Sequence, residues 1–276
     1  MKKPVKRSAF RAKCGFFYYK TKRKILWLKM RGQFAKKRPA ERLPEVQFTH
    51  KTPLLRKLKD VDMYLQYNKI TNLKLASAKI DSVVLEPGQT FSFWYLVGKT
   101  SARKGYKEGL VLRCGKTDKG IGGGLCQLTN LIYWMTIHTP LTVTERYRHS
   151  YDVFPDSGRT QPFASGATCY YPHLDLMIKN ETARPFQLCV RVGDEFLEGE
   201  WRSTEAPDRT YKVIEKNHMM SPGPWGGYIR HNELYREVYD RDGKLLDEEF
   251  IVANDAIMMY QPYLAAPEND HSGYEQ

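Results

Sequence analysis

No run of apolar residues in this sequence approaches the roughly 20 needed to cross a bilayer, so no transmembrane helix is expected. The basic N-terminus leads into no clear apolar stretch of the kind a secretory signal carries, and export by such a signal is not expected. Paired cysteines are also missing. The five present, Cys14, Cys114, Cys126, Cys169 and Cys189, are odd in number, irregularly spaced and without a CxxC pair. That argues against a disulfide framework and against zinc, and no metal or cofactor is expected. There is no internal repeat. Acidic residues are scarce at one end only. Residues 1–59 hold 20 Lys+Arg against 2 acidic residues, leaving 24 basic and 29 acidic residues from the totals of 44 and 31 for the remainder. The basic character therefore belongs to the N-terminal segment, and the body is net acidic, which weakens a nucleic-acid reading.

What is present suffices for a sizeable core. The chain has 276 residues, 41% of them hydrophobic and 13% aromatic, enough for one large domain or two small ones. Residues 1–45 form a basic arm in which lysines and arginines alternate with Phe16, Phe17, Tyr18, Tyr19, Ile25, Leu26, Trp27 and Leu28. Such a segment suits an anionic membrane surface or another polyanion, or is a solvated extension. Residues 46–80 read as a helical lead-in. Thr52-Pro53 serves as its start, Leu54, Leu58, Val61 and Leu65 follow at helical spacing, and a second helical stretch runs from Leu73 to Lys79.

Residues 81–205 read as the core domain. Phe91, Phe93 and Tyr95 alternate as in a strand, Leu110-Val111-Leu112 suggests another, and Lys116 to Gly124 reads as a polar loop. That loop opens on Gly122-Gly123-Gly124-Leu125-Cys126-Gln127. Beyond it Leu128, Leu131, Ile132 and Met135 fall on one face of a helix that ends near Thr139-Pro140. Cys126 thus enters the first helical turn, where unpaired N–H groups favour a thiolate. A buried thiol behind a glycine turn is the competing reading. The loop lacks the Gly-Lys-Ser/Thr ending of a phosphate cradle.

From Thr142 to Val153, β-branched and aromatic residues predict one strand. His149 falls on one face, with Arg146, Arg148 and Asp152 on the other. His149 is a candidate base for Cys126 or a structural histidine. Asp152 and Asp156 are the nearest carboxylates that could orient it, and either arginine could grip a substrate carboxylate. Ala167–Tyr171 and Leu174–Asn180 read as paired strands around a Pro172-His173 turn. Phe186–Val192 reads as a further strand, with Cys169 and Cys189 as core thiols. Residues 206–266 form a β-rich extension, with Tyr211–Ile214 strand-like, a loop at Ser221–Pro224 and a hairpin around Asp242-Gly243. Residues 267–276 read as a disordered tail. The expected class is α+β: a mixed, mostly antiparallel sheet packed against the helix that starts at the Gly-Gly-Gly-Leu-Cys-Gln motif, with helices before it and a β-rich tail.

Five blocks, in order, resemble the VanW family over roughly residues 80–195. They are Pro87-Gly88-Gln89-Thr90-Phe91-Ser92-Phe93, Gly105-Tyr106, Gly122–Leu128, Glu145-Arg146-Tyr147-Arg148-His149-Ser150, and Asp175–Asn180. The resemblance implies an accessory role in glycopeptide (vancomycin) resistance. Larger surface proteins that carry this domain are linked to peptidoglycan cross-linking as cysteine L,D-transpeptidases. By that likeness Cys126 would be the nucleophile and His149 its base. Backbone N–H groups about Gly123, Gly124 and Gln127 would hold the oxyanion, and Arg146 the stem carboxylate. The implied partner is a peptidoglycan stem peptide or lipid-linked precursor. Such enzymes act outside the cell. Without an export signal, this chain is expected in the cytoplasm or at the inner membrane face, held there by residues 1–45. Two non-enzymatic readings stand beside it: a binding protein for cell-wall precursors or a resistance partner, and a polyanion- or membrane-surface-binding protein.

Overall fold

The computed structural model describes residues 8–55, 62–113, 115–153, 161–223 and 226–261. Within them the chain is α+β. It opens with helix α1 (Ala9–Lys29), capped by the Ser8 hydroxyl, which accepts from the Arg11 N–H. Strand β1 (Glu45–Pro53) follows, then helix α2 (Met63–Ile80). Here the structure corrects the helix start placed at Thr52-Pro53. Val46, Phe48 and Thr49 make a strand instead, and Pro53 ends it at a sheet edge, where a missing N–H costs little. The proposed helical positions Leu58 and Val61 lie outside the described residues.

Short strands β2 (Val83–Leu85) and β3 (Thr90–Ser92) lead into a one-turn helix α3 (Phe93–Val97). The alternation of Phe91, Phe93 and Tyr95 is therefore not a single strand. Ser92 breaks it by turning its hydroxyl onto the Tyr95 N–H at 3.2 Å, and the buried Asp175 carboxylate takes the Trp94 N–H at 2.9 Å. Strands β4 (Glu108–Arg113) and β5 (Lys116–Ile121) form a hairpin, so most of the expected Lys116–Gly124 loop is strand, paired from Arg113↔Lys116 to Glu108↔Ile121.

Helix α4 (Cys126–Thr136) begins where the cysteine motif predicts, and its Leu128, Leu131, Ile132 and Met135 are all buried. After it come β6 (Thr142–Glu145), β7 (Tyr151–Asp152), β8 (Met177–Lys179), β9 (Phe186–Val192), β10 (Phe196–Ser203), β11 (Thr210–Pro222), β12 (Tyr228–Tyr239) and β13 (Leu245–Met258). Two expected strands change. The 142–153 strand breaks into β6 and β7, and Ala167–Tyr171 makes only single bridges, Tyr147↔Thr168 and Tyr170↔Leu174.

One antiparallel sheet has the order β1-β10-β9-β2, and a smaller one the order β3-β8-β6. Helix α4 lies against β10 at Gly199, where a Cβ would press on Met135 and Leu131. The Trp201 indole N–H donates to Thr136 Oγ1 at 3.1 Å. Around this contact the fully buried Phe91, Phe93, Phe186 and Trp201 fill the core. The third sheet, β11-β12-β13-β7, is antiparallel except for the parallel β13–β7 edge. Its turn at Asp240–Lys244 has Gly243 in the left-handed region, as Asp242-Gly243 predicts. Through β7 this sheet reaches back to residues 151–152 of the core. No helix among the described residues is long and apolar enough to cross a membrane.

Candidate active site

The glycine loop ahead of Cys126 is set by close backbone contact. Gly123 and Gly109 meet main chain to main chain, and a Cβ on either would overlap the other's carbonyl. Gly124, at φ +90°, lies under the aliphatic stem of Lys69, leaving no room for a side chain. Asn72 on α2 fastens the arrangement. Its Nδ2 donates to the Gly123 carbonyl at 2.9 Å and to the Lys107 carbonyl at 3.0 Å, and its Oδ1 accepts the Lys107 N–H at 2.8 Å. α2, β4 and the loop are thereby locked, and Cys126 is delivered half-buried to the start of α4.

Three further tethers bring the other side chains to it. Thr129 Oγ1 donates to the Ala167 carbonyl at 2.6 Å, and the Ala167 N–H donates to Asn130 Oδ1 at 2.8 Å. Segment 167–169 is thus held along the first turns of α4. The Thr168 N–H donates to the Tyr147 carbonyl at 2.7 Å, which draws the chain carrying His149 alongside. The result is a continuous relay: Cys126 Sγ lies 3.3 Å from Thr168 Oγ1, and Thr168 Oγ1 lies 3.0 Å from His149 Nε2. The His149 ring is exposed and Thr168 buried. Cys126 Sγ also approaches the Cys169 carbonyl at 3.8 Å.

These neighbours favour a thiolate. A hydrogen bond from the Cys169 thiol holds Cys126 well below the ordinary cysteine range. Burial opposes this, while the hydrogen bond and charge of His149 and the Thr168 hydroxyl add to it. Cys169 shows the converse: burial, then its bond to Cys126, push it well above that range. Cys169 lies between the bridging residues Thr168 and Tyr170 rather than in a strand and packs half-buried against the core, whereas Cys189 is buried on β9. Cys14, Cys126, Cys169 and Cys189 are all free thiols, and Cys114 lies outside the described residues.

Of the N–H groups at the loop, Gly123 donates to the Gly120 carbonyl and Gln127 to the Gly124 carbonyl. Those of Gly124, Leu125 and Cys126 find no acceptor among the described residues. The Gln127 side chain turns away to the end of β1, donating to Thr52 Oγ1 at 3.0 Å and the Pro53 carbonyl at 2.8 Å. Arg146 lies inside its loop. It donates to the carbonyls of Ala164 and Gly166, to Asn254 Oδ1 at 3.0 Å, and stacks over the Tyr133 ring at 4.8 Å. Arg148 gives one hydrogen bond, to the His149 carbonyl at 3.0 Å, and its other donors have no partner among the described residues. Burial, then the neighbouring Arg146, lower its pKa to about 10, against the pull of Asp255 and Asp152.

Of the two carboxylates that could orient His149, Asp152 is turned to other partners. Asp152 accepts from the Tyr260 hydroxyl at 2.7 Å and pairs with Arg230 at 3.5 Å, while Asp156 lies outside the described residues. The group beside the imidazole is Thr168, which the sequence had marked only as a strand residue. Asn72 went equally unmarked, since a lone asparagine in a helical pattern carries no signal of the carbonyls it will meet. No cluster of three or more His, Cys, Asp or Glu among the described residues is placed to hold a metal ion.

A family model described as "VanW like protein" matches residues 68–202. The chain is 32% identical over 200 residues to "Vancomycin B-type resistance protein VanW" of Enterococcus faecalis (strain ATCC 700802 / V583), covering 72% of each chain. It is 34% identical over 82 residues to "Uncharacterized protein YoaR" of Bacillus subtilis (strain 168), covering 30% of this chain and 27% of that one. No solved structure matches. The matched span holds Asn72, the glycine loop, Cys126, His149, Thr168 and Cys169, and on this likeness the chain belongs to the VanW family.

Proposed function

We propose that this protein serves glycopeptide resistance by cysteine-dependent acyl transfer on peptidoglycan stem peptides or their lipid-linked precursors. The observation that carries the reading is the Cys126–Thr168–His149 relay at the start of α4. The role named for the Enterococcus faecalis relative supplies the biological setting.

In this mechanism Cys126 gives its proton through Thr168 to His149, and the resulting thiolate attacks the carbonyl before the terminal D-residue, forming a C–S bond and a tetrahedral oxyanion. The N–H groups of Gly124, Leu125 and Cys126, without an acceptor among the described residues, stabilise that oxygen at the positive end of α4. The C–N bond then breaks, and the departing amine takes a proton from His149, leaving a thioester on Cys126. An incoming amine gives a cross-link, or water gives a trimmed stem. Either surrenders a proton to His149 as the thiolate leaves. Thr168 keeps the imidazole and sulfur in register and passes the proton between them. Arg148, with donors to spare beside His149, grips the stem carboxylate. Arg146, which the sequence suggests for that task, holds the loop in shape from behind.

The deciding experiment incubates the reduced protein with tetra- and pentapeptide stems near neutral pH and looks by mass spectrometry for a thioester on Cys126. The expected result is an adduct that Cys126→Ala abolishes and His149→Ala cuts by about 10²-fold or more. Stem affinity that survives Cys126→Ser, with no adduct in the native protein, would assign the site to binding rather than chemistry.

A further inference from the structure

Helix α1 carries two apolar faces, and among the described residues only one is covered. Phe16, Tyr19, Arg23 and Trp27 turn inward: Tyr19 stacks on His173 at 5.5 Å, and Trp27 lies against Tyr95 and Tyr171. Arg23, 6% exposed, binds Glu145 through both terminal nitrogens and donates to the His173 carbonyl at 2.9 Å. On the opposite side Phe10, Cys14, Phe17, Thr21, Ile25 and Leu28 follow at i, i+4, i+7, i+11, i+15 and i+18, a single stripe along the helix. Phe10, Phe17 and Leu28 on this stripe are 78%, 70% and 71% exposed. Lys13 and Lys24 flank one edge and Arg11, Lys22 and Lys29 the other. The helix has no acidic residue, and none of these five cations is ion-paired among the described residues.

We infer that this outer face of α1 is a docking surface for an anionic phospholipid bilayer, with the helix lying in the plane of the headgroups. An apolar stripe bordered on both edges by long basic side chains matches a surface that is apolar in depth and anionic at its rim. The stripe enters the acyl boundary, and the lysine and arginine stems reach back to the phosphates. A protein surface of either sign would meet only half of that pattern. Because Arg23 binds Glu145 and the loop at His173, the docked helix holds the segment that carries Thr168 and Cys169 close to the headgroup plane. The inference is independent of the chemistry at Cys126.

Flotation of the full chain with phosphatidylcholine vesicles, with and without about 30% phosphatidylglycerol, tests it. The anionic vesicles should bind about tenfold or more protein than the neutral ones. Phe17→Asp with Leu28→Asp should remove that binding, while the thermal melt stays unchanged because both side chains point into solvent. Absence of binding to anionic vesicles at low salt overturns the inference, as does binding that the double substitution leaves intact. Self-association without lipid that the same substitution abolishes would assign the stripe to a second copy instead. Tighter binding to a DNA duplex than to anionic vesicles would assign the cations to nucleic acid.

Discussion

Thr168 Oγ1 stands 3.0 Å from His149 Nε2, so the imidazole reaches the Cys126 sulfur in company with a hydroxyl. That hydroxyl is the smallest of the three thiolate-stabilising contacts. The hydrogen bond with Cys169 leads the separate causes, and the hydrogen bond and the charge of His149 both come ahead of the hydroxyl.

The ranking can be measured. Peptide-resolved alkylation of Cys126 across pH should show an inflection well below the ordinary thiol range of about 8.5. Cys169→Ala and His149→Ala should each raise that inflection, and Thr168→Val should raise it least. An inflection in the ordinary range for the native protein, unmoved by all three changes, would refute the arrangement.

The contact between Gly109 and Gly123 sets a second expectation. Either glycine changed to alanine drives a methyl into the opposing main chain, where no rotamer relieves it. Gly123→Ala and Gly109→Ala should each destabilise the protein by about 2 kcal/mol or more in urea unfolding. Gly32→Ala provides the control, because its Cβ meets open space and its backbone, like that of Gly109 and Gly123, is not left-handed.

Asp175 gives a third, in pH. Burial outweighs its bonds from Ser92 and the Trp94 N–H and the nearby Arg23, raising its pKa to about 7. The unfolded chain releases the same proton near 3.9. Between those values the folded protein holds the extra proton. The contribution is therefore complete below about pH 4 and is lost as pH rises towards 7. Unfolding free energies measured at steps from pH 4 to 7 should fall with a slope approaching about 1.4 kcal/mol per unit. Asp175→Asn, which keeps an acceptor for the Trp94 N–H, should flatten that slope.

Local signals carried the fold furthest where one residue type decides the backbone. The glycine run, the α4 stripe, the Asp242-Gly243 turn and the strand of residues 186–192 were all legible. Phe91 to Tyr95 and Thr52-Pro53 were not. In each, a short alternation or a proline fits two local structures, and tertiary partners choose: Asp175 for the first, pairing with β10 for the second. Cys126 and His149 could be named as a pair from the family blocks, and the fold brings them to the two ends of one relay. Thr168, Cys169 and Asn72 could not, because their roles arise from neighbours 19 to 51 positions away. Arg146 shows the same limit. A conspicuous cation in a motif is spent on the protein's own carbonyls, and no pattern in its own segment foretells that.

The link from Arg146 to Asn254 crosses from the core into the last sheet, where Asn254 is buried and paired with Asn232, which in turn holds the Phe163 carbonyl at 2.7 Å. Residues 68–202 therefore contain the whole relay but not the clamp on the loop that presents it. The relay and the stiffness of its setting are written in different stretches of the chain. Substitutions in β12 and β13 can change how firmly His149 is offered to the sulfur while every group in the relay stays the same. The C-terminal sheet is in this sense a tuning peg for the site.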